Sequence, residues 1–240
     1  VASNAPQMDA VCGIGFDLDH TLAIDNRLER VAFLRLLEVV LAEGGRSLGT
    51  LSDEIDSIDD LLTHQRRGEF SIDDAVRRFV EARGVRARPS LVEWFRNTAV
   101  AMVDDMVVPL PGVRRTLGAL RERGAALAVL TNGWNPMQRR KAERAGFSGP
   151  ILVSSELGVQ KPAGASFEAL LRTLGTPPQE TWYVGDDPRG DVAGAQAVGI
   201  RTVWIDWERK EYPADIKPPE RTIHSFEELL ELLPLPVRAP

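Results

Sequence analysis

The 240-residue chain predicts a doubly wound α/β fold, a parallel sheet with helices on both faces, interrupted by an all-helical insertion. Three observations predict it. A short apolar run, Val11 to Phe16, ends abruptly at two acids, Asp17 and Asp19. About eighty residues behind it keep helical spacing without a strand among them. From Pro109 onward strands alternate with helices, which requires parallel pairing because each crossover returns the chain to the same edge.

Val11 to Phe16 reads as a strand buried on both faces. Leu28, Val31, Ala32, Arg35, Leu36 and Val39 follow at helical spacing, and Gly44-Gly45 ends that helix. A second helix after Ser52 carries Ile55, Ile58, Leu61 and Leu62. Ser71-Ile72-Asp73-Asp74 and Ser90-Leu91-Val92-Glu93 resemble capping boxes and each opens a further helix. Pro109-Leu110-Pro111-Gly112 closes the block, and the alternation begins. Helices are expected over Val113 to Arg123, Pro136 to Ala145, Ala165 to Leu174 and Asp191 to Val198, and strands over Ala125 to Leu130, Ile151 to Val153, Trp182 to Val184 and Thr202 to Ile205. Phe226 to Leu233 closes the chain as an amphipathic helix. The division expected is a core of residues 9–23 and 109–240 with a helical cap of 24–108. Residues 1–8 are set aside, Ser3-Asn4-Ala5 reading as an expression-vector remnant and Met8 as close to a native start.

Composition narrows the function. Hydrophobic residues at 43% and charged residues at 27% suit a packed globular core. A net charge of −6 and a pI near 5.3 argue against a general nucleic-acid binder, which needs a basic face. The single cysteine, Cys12, provides neither a disulfide framework nor a thiolate cluster and suits a reducing cytoplasm. No apolar stretch approaches the roughly eighteen residues of a membrane span.

In a doubly wound sheet the ligand site lies beyond the carboxyl ends of the strands, near the switch in strand order. Polar residues gather at that rim. Strand one ends in Asp17 and Asp19, which continued pleating would aim at one spot. Strand two ends Thr131-Asn132-Gly133, Lys161 follows strand three, and strand four ends Gly185-Asp186-Asp187-Pro188-Arg189-Gly190-Asp191. Hard carboxylate oxygens with few imidazoles or thiols select Mg²⁺. Hydroxyl, backbone and ammonium donors at the same point suit a phosphoryl group, and a carboxylate there can act as nucleophile through an aspartyl-phosphate.

In these segments the chain resembles the haloacid dehalogenase superfamily, whose four motifs match Asp17-Leu18-Asp19-His20-Thr21, Thr131-Asn132, Lys161 and Gly185-Asp186 with Asp191. The resemblance implies a phosphatase with a type 1 helical cap, similar to phosphoglycolate phosphatases and nucleotidases. It implies Asp17 as nucleophile, Asp19 as acid/base, Thr131 and Asn132 as phosphate binders, and Lys161 as the residue that steadies nucleophile and phosphoryl. It implies Mg²⁺ held by Asp186, the Asp17 carboxylate and the Asp19 backbone carbonyl, with Asp191 holding a metal-bound water or Lys161. His20 and Gly190 depart from the usual pattern, the first expected to face away from phosphate, the second to loosen its loop. Asp187 reads as a further metal-shell acid or only as the residue after the ligand, and Trp134 as lining the pocket or packing under the cap. The Arg66-Arg67 pair reads as a solvated helix end, with an anionic substrate group as the alternative, while His64 and His224 lack partners at ligand spacing.

A Mg²⁺-dependent phosphatase acting on a small soluble phosphomonoester is therefore expected, with phosphoglycolate, nucleoside monophosphates and sugar phosphates as candidate substrates. A 2-haloacid dehalogenase on the same fold needs no leaving-group acid, so Asp19 argues against it. A sugar phosphomutase shares the carboxylate pair, and a receiver or binding module would need neither the insertion nor the second acid. Neither substrate identity nor oligomeric state is encoded in these motifs.

Overall fold

The computed structural model describes residues 12–232. Val11, Leu233 and the segment 1–8, on which three of the expectations above fall, lie outside the described residues. Six parallel strands form the sheet: β1 (Gly13–Phe16), β4 (Ala126–Thr131), β5 (Ile151–Val153), β6 (Thr181–Gly185), β7 (Arg201–Ile205) and β8 (Arg221–Ile223), in the order β5-β4-β1-β6-β7-β8. The chain builds outward from β1 through β4 to β5, then crosses back to place β6 on the other side of β1. The order thus reverses at β1, the crevice where open α/β sheets bind ligands.

Period-two alternation sorts the strands onto two faces. Ile14 and Phe16 join Val129, Trp182, Val184, Val203 and Ile205 in one core cluster, with Phe16 and Phe226 rings 5.7 Å apart. The opposite face holds Ala128, Leu130 and Tyr183 against Phe167, Leu170 and Ala195. Gly13 and Gly15 point to this second face. A β-carbon on Gly15 would stand 2.4 Å from Leu170 Cδ2, so the glycines let the helix α9 (Gly164–Leu174) lie directly on the central strand.

The insertion enters and leaves through an antiparallel ribbon, β2 (Ala23–Ile24) with β3 (Val108–Pro109), in which Ile24 pairs with Val108. Between them lie α1 (Leu28–Ala42), α2 (Leu51–Arg66), α3 (Ile72–Ala82), α4 (Pro89–Ala101) and the single turn α5 (Val103–Met106). Phe33 centres this block, its ring 5.0 Å from that of Phe79 and 4.4 Å from that of Phe95. The expected capping box at Ser71 forms with Asp74, and Thr50 forms another with Asp53. The Ser90 box does not form. Helix α4 starts two residues earlier than that box would set it, at Pro89, whose fixed φ suits a first helical position, so Ser90 lies inside the helix.

The remaining helices are α6 (Val113–Glu122), α7 (Met137–Ala145), the short α8 (Ser154–Leu157), α10 (Gly194–Ala197) and α11 (Leu229–Leu232). The helix expected from Asp191 instead begins at Pro188 as a π-helical turn, with Val192 N–H donating to Asp187 O at 3.2 Å. Strands β2 and β3, at two residues each, are too short for periodicity to reveal, and β8, Arg221-Thr222-Ile223 with only Ile223 buried, lacks the apolar run that marks β5.

Candidate active site

The strand ends around the reversal of order deliver the polar residues to one cavity of about 1130 Å³, lined by Asp17, Asp19, Thr131, Asn132, Lys161 and Asp191 from the core and by α1 and α2 from the insertion. At its floor the Lys161 Nζ bridges two carboxylates, 2.5 Å from Asp17 Oδ1 and 2.6 Å from Asp191 Oδ1. All three side chains are buried. Asp191 is held again through Oδ2, which accepts the Asp187 N–H at 3.0 Å. Asp186 Oδ1 accepts from the Thr21 hydroxyl at 3.3 Å.

One carboxylate oxygen from each of Asp17, Asp186 and Asp191 lies within 4.8 Å of the other two. Three carboxylates against one ammonium leave an excess of negative charge in a largely buried place, which favours the protonated acids. Burial, with the neighbouring Asp191 and Asp19 charges and despite Lys161, pushes Asp17 up to about 7. Burial and the Asp17 charge push Asp186 up to about 7, while Asp191 rises to about 6, burial outweighing its Lys161 partner. Burial alone would lower Lys161, yet Asp17 and Asp191 hold it well above its ordinary value. An all-oxygen donor set with an excess of negative charge fits a hard divalent cation.

Asn132 turns toward Lys161: its amide nitrogen donates to Lys161 O at 3.0 Å and its amide oxygen accepts Lys161 N–H at 2.9 Å. That side chain therefore fixes the loop that carries the lysine. The Thr131 hydroxyl accepts from Gln138 Nε2 at 2.8 Å.

The Asp19 carboxylate lies outside the Asp17–Asp186–Asp191 group. Its Oδ2 accepts from Gln138 Nε2 at 2.9 Å and its Oδ1 from Lys141 Nζ at 2.9 Å, and Lys141 reaches Asp25 Oδ2 at 2.8 Å. Burial alone would lower Lys141, but the surrounding Asp19, Asp25 and Glu29 charges keep it above its ordinary value. Gln138 and Lys141 were not found by sequence reasoning. Lys141 closes the run Arg139-Arg140-Lys141, in which a buried cation cannot be told from exposed ones until the face is known. The signal in the sequence is the spacing of Met137, Ala142 and Ala145, small or apolar residues that share the inward face with Lys141.

Of the other candidates, His20, Asp187 and Gly190 also line the cavity, while Trp134, His64 and His224 do not. Trp134 is buried and donates to Glu29 Oε1 at 2.9 Å, packing beneath the insertion. The His20 ring stacks on Trp207, 6.4 Å between centroids. Asp187 caps the π-helical turn, accepting Arg189 N–H at 2.9 Å, and a β-carbon on Gly190 would stand 2.6 Å from its Oδ2. The glycine therefore makes room for this cap, in place of the loosening expected. His64 pairs with Glu69 at 2.8 Å and His224 with the Asp206 carbonyl at 2.8 Å, both away from the cavity.

The family model for haloacid dehalogenase-like hydrolases matches residues 13–199, which includes Asp17, Asp19, Thr131, Asn132, Lys161, Asp186 and Asp191. The chain belongs to this family. Among haloacid dehalogenase-like relatives, a phosphoserine phosphatase of Thermus thermophilus is 41% identical over 99 residues, 40% of either chain. A glyceraldehyde 3-phosphate phosphatase of Pyrococcus furiosus is 27% identical over 233 residues, 92% of either chain. The crystal structure of a 2-haloacid dehalogenase from Pseudomonas syringae superposes with a TM-score of 0.69 at 26% identity, covering 92% of this chain and 97% of that one. For three curated relatives at 32% to 41% identity, the chain spans only 40% to 58% of their length. Among the described residues, no helix is long and apolar enough to cross a membrane.

Proposed function

We propose that this hydrolase is a Mg²⁺-dependent phosphatase that cleaves a small phosphomonoester through an aspartyl-phosphate on Asp17. The observation that carries the reading is the pairing of Asp17, held by Lys161 at 2.5 Å, with a second acid, Asp19, on the same cavity. Attack on carbon by a dehalogenase releases a halide that needs no proton, whereas an alkoxide leaving phosphorus does. Asp19 therefore favours the phosphatase over the dehalogenase that shares the fold.

Asp17 supplies the attacking oxygen: a bond forms between it and phosphorus as the ester bond breaks, and the departing oxygen takes a proton from Asp19. Water then attacks the same phosphorus, gives its proton to Asp19, and releases inorganic phosphate with the Asp17 carboxylate restored. Lys161 keeps Asp17 in line and meets the phosphoryl charge, with the Thr131 hydroxyl at the phosphate oxygens and the Asn132 amide holding the loop that carries the lysine. Asp17, Asp186 and the Asp19 backbone carbonyl, with Asp191 beside them, would hold Mg²⁺, which would supply charge neutralisation at the phosphate. The insertion, residues 24–108 with the ribbon at its neck, serves as a cap that excludes water and limits substrates to small molecules. The substrates in the names of the phosphatase relatives are of this class, and the lone Cys12 supports a place in the cytoplasm.

The test is a turnover screen of purified protein against small phosphate esters, phosphopeptides and DNA ends, with and without Mg²⁺. Metabolite esters hydrolysed only with Mg²⁺ support the reading. Full activity after exhaustive chelation, or phosphopeptides outperforming every metabolite, contradicts it.

A further inference from the structure

We propose that Gln138 and Lys141, on one face of α7, are the positioning residues of Asp19, pinning its carboxylate for proton transfer. The inference rests on the reading of Asp19 as acid/base.

Both oxygens of Asp19 are held from this one helix: Gln138 Nε2 reaches Oδ2 at 2.9 Å and Lys141 Nζ reaches Oδ1 at 2.9 Å. The two donors are buried to 2% and 3% exposure, whereas the Asp19 side chain keeps 32% of its surface open. A loop carboxylate would otherwise turn freely about two torsions, and misplacement by about 1 Å can cost about 100-fold in rate. Each donor has a second anchor. Gln138 Nε2 also lies 2.8 Å from Thr131 Oγ1 and 3.0 Å from Asn132 O, tying Asp19 to the end of β4. Lys141 is held at 2.8 Å by Asp25, on the segment between β2 and α1. Asp25 thereby fixes the ammonium against which the Asp19 carboxylate rests. An ammonium is costly to bury, and on the apolar face of a short helix an aliphatic residue would pack at lower cost. Its position beside this carboxylate is what the site gains in return.

Steady-state kinetics on glycerol phosphate and 4-nitrophenyl phosphate, with wild type, Asp19→Asn, Lys141→Met and the double variant, separate this role from general packing. A positioned acid matters in proportion to how poorly the departing oxygen leaves. Lys141→Met should lower kcat on glycerol phosphate by about 10- to 100-fold, on the nitrophenyl ester by no more than about threefold, and leave KM within about twofold. In the Asp19→Asn background the same change should add less than about twofold, since residues acting through one another are not additive. Lys141→Arg should recover part of the loss. Equal loss on both esters, or a loss that adds in full to that of Asp19→Asn, overturns the proposal. Should Lys141→Met fail to fold, Gln138→Leu, which leaves both lysine contacts in place, should show the same dependence on leaving group at smaller size. Unchanged kcat on glycerol phosphate in the folded variant overturns the proposal as well. If Asp19→Asn alone retains wild-type turnover of glycerol phosphate, the acid/base reading fails and this inference with it. If Asp19→Asn loses that turnover while the α7 variants keep it, only this inference fails.

Discussion

Trp134 donates its indole N–H to Glu29 Oε1 at 2.9 Å, joining the loop after β4 to the first turn of α1 where the sheet meets the insertion. Both side chains are buried, and Glu29 has its ion-pair partner, Arg66, 3.6 Å away. Trp134→Phe should therefore leave a buried carboxylate short of a donor. The expected loss is about 1–3 kcal/mol, read from the midpoint of a urea transition at constant slope. A phenyl ring would still lie near the Arg96 guanidinium, which sits 5.1 Å from the indole, so a loss below about 0.5 kcal/mol would mean that ring packing, and not the hydrogen bond, joins the two parts.

Acid strength in the Asp17–Asp186–Asp191 group predicts how stability follows pH. Asp17 and Asp186 rise to about 7 and Asp191 to about 6 from an ordinary 3.8, so between those values the folded chain binds more protons than the unfolded one. Without metal, these groups make the protein less stable as pH rises from about 4 to 7. Mg²⁺ should reverse that trend by binding the ionised form. Thermal melts across that range should show a Mg²⁺-dependent gain in Tm that is large near pH 7.5 and shrinks toward pH 5. A gain independent of pH would place the ion elsewhere.

Within the insertion, Arg83 donates Nε to Glu54 Oε2 at 3.1 Å, both buried. Burial alone would raise Glu54, but Arg83, the Leu48 N–H and the Ser47 hydroxyl together hold it below its ordinary value. The stabilisation is present above the unfolded carboxyl's range and is lost as pH falls through the lower folded value. Arg83→Met, which strands the carboxylate, should cost about 3–5 kcal/mol in urea unfolding near neutral pH, and Glu54→Gln added to it should restore part of that. Equal stability of the two variants would show the pair to be screened.

Around the cavity mouth the acids of α1 and α2 already have partners: Arg30 Nε meets Asp59 at 2.6 Å and Glu29 meets Trp134. Arg27 and Arg67 line the same cavity and form no ion pair among the described residues. Arg27→Ala, Arg66→Ala and Arg67→Ala should lower kcat/KM for esters that carry a second anionic group by about tenfold while changing 4-nitrophenyl phosphate by less than about threefold, as loss of one charge-assisted contact implies. Uniform effects on both would make the arginines a solvated helix end.

Much of this was legible because the sheet repeats a simple grammar. Apolar runs stopped by polar residues mark β1, β4, β5, β6 and β7, and the strand-end rule brings Asp17, Thr131, Lys161 and Asp186 together from the sequence alone. What escaped depended on orientation. Gln138 and Lys141 sit in a helix whose composition is basic, and only the side on which α7 packs separates Lys141 from Arg139 and Arg140. Asn132 was expected at the phosphate, yet its side chain is given to Lys161, a pairing between loops that spacing does not encode. The π-helical turn from Pro188 arises from the Asp187 cap with Gly190 beside it, which reads in sequence as an ordinary helix start.

The central claim is that the Asp17 carboxylate attacks phosphorus. Turnover of 4-nitrophenyl phosphate in Mg²⁺ by a folded Asp17→Asn variant, checked by circular dichroism, tests it most directly. The amide nearly matches the acid in shape but cannot attack, so kcat should fall by at least about 1000-fold with secondary structure unchanged. Turnover within about tenfold of wild type would contradict the account.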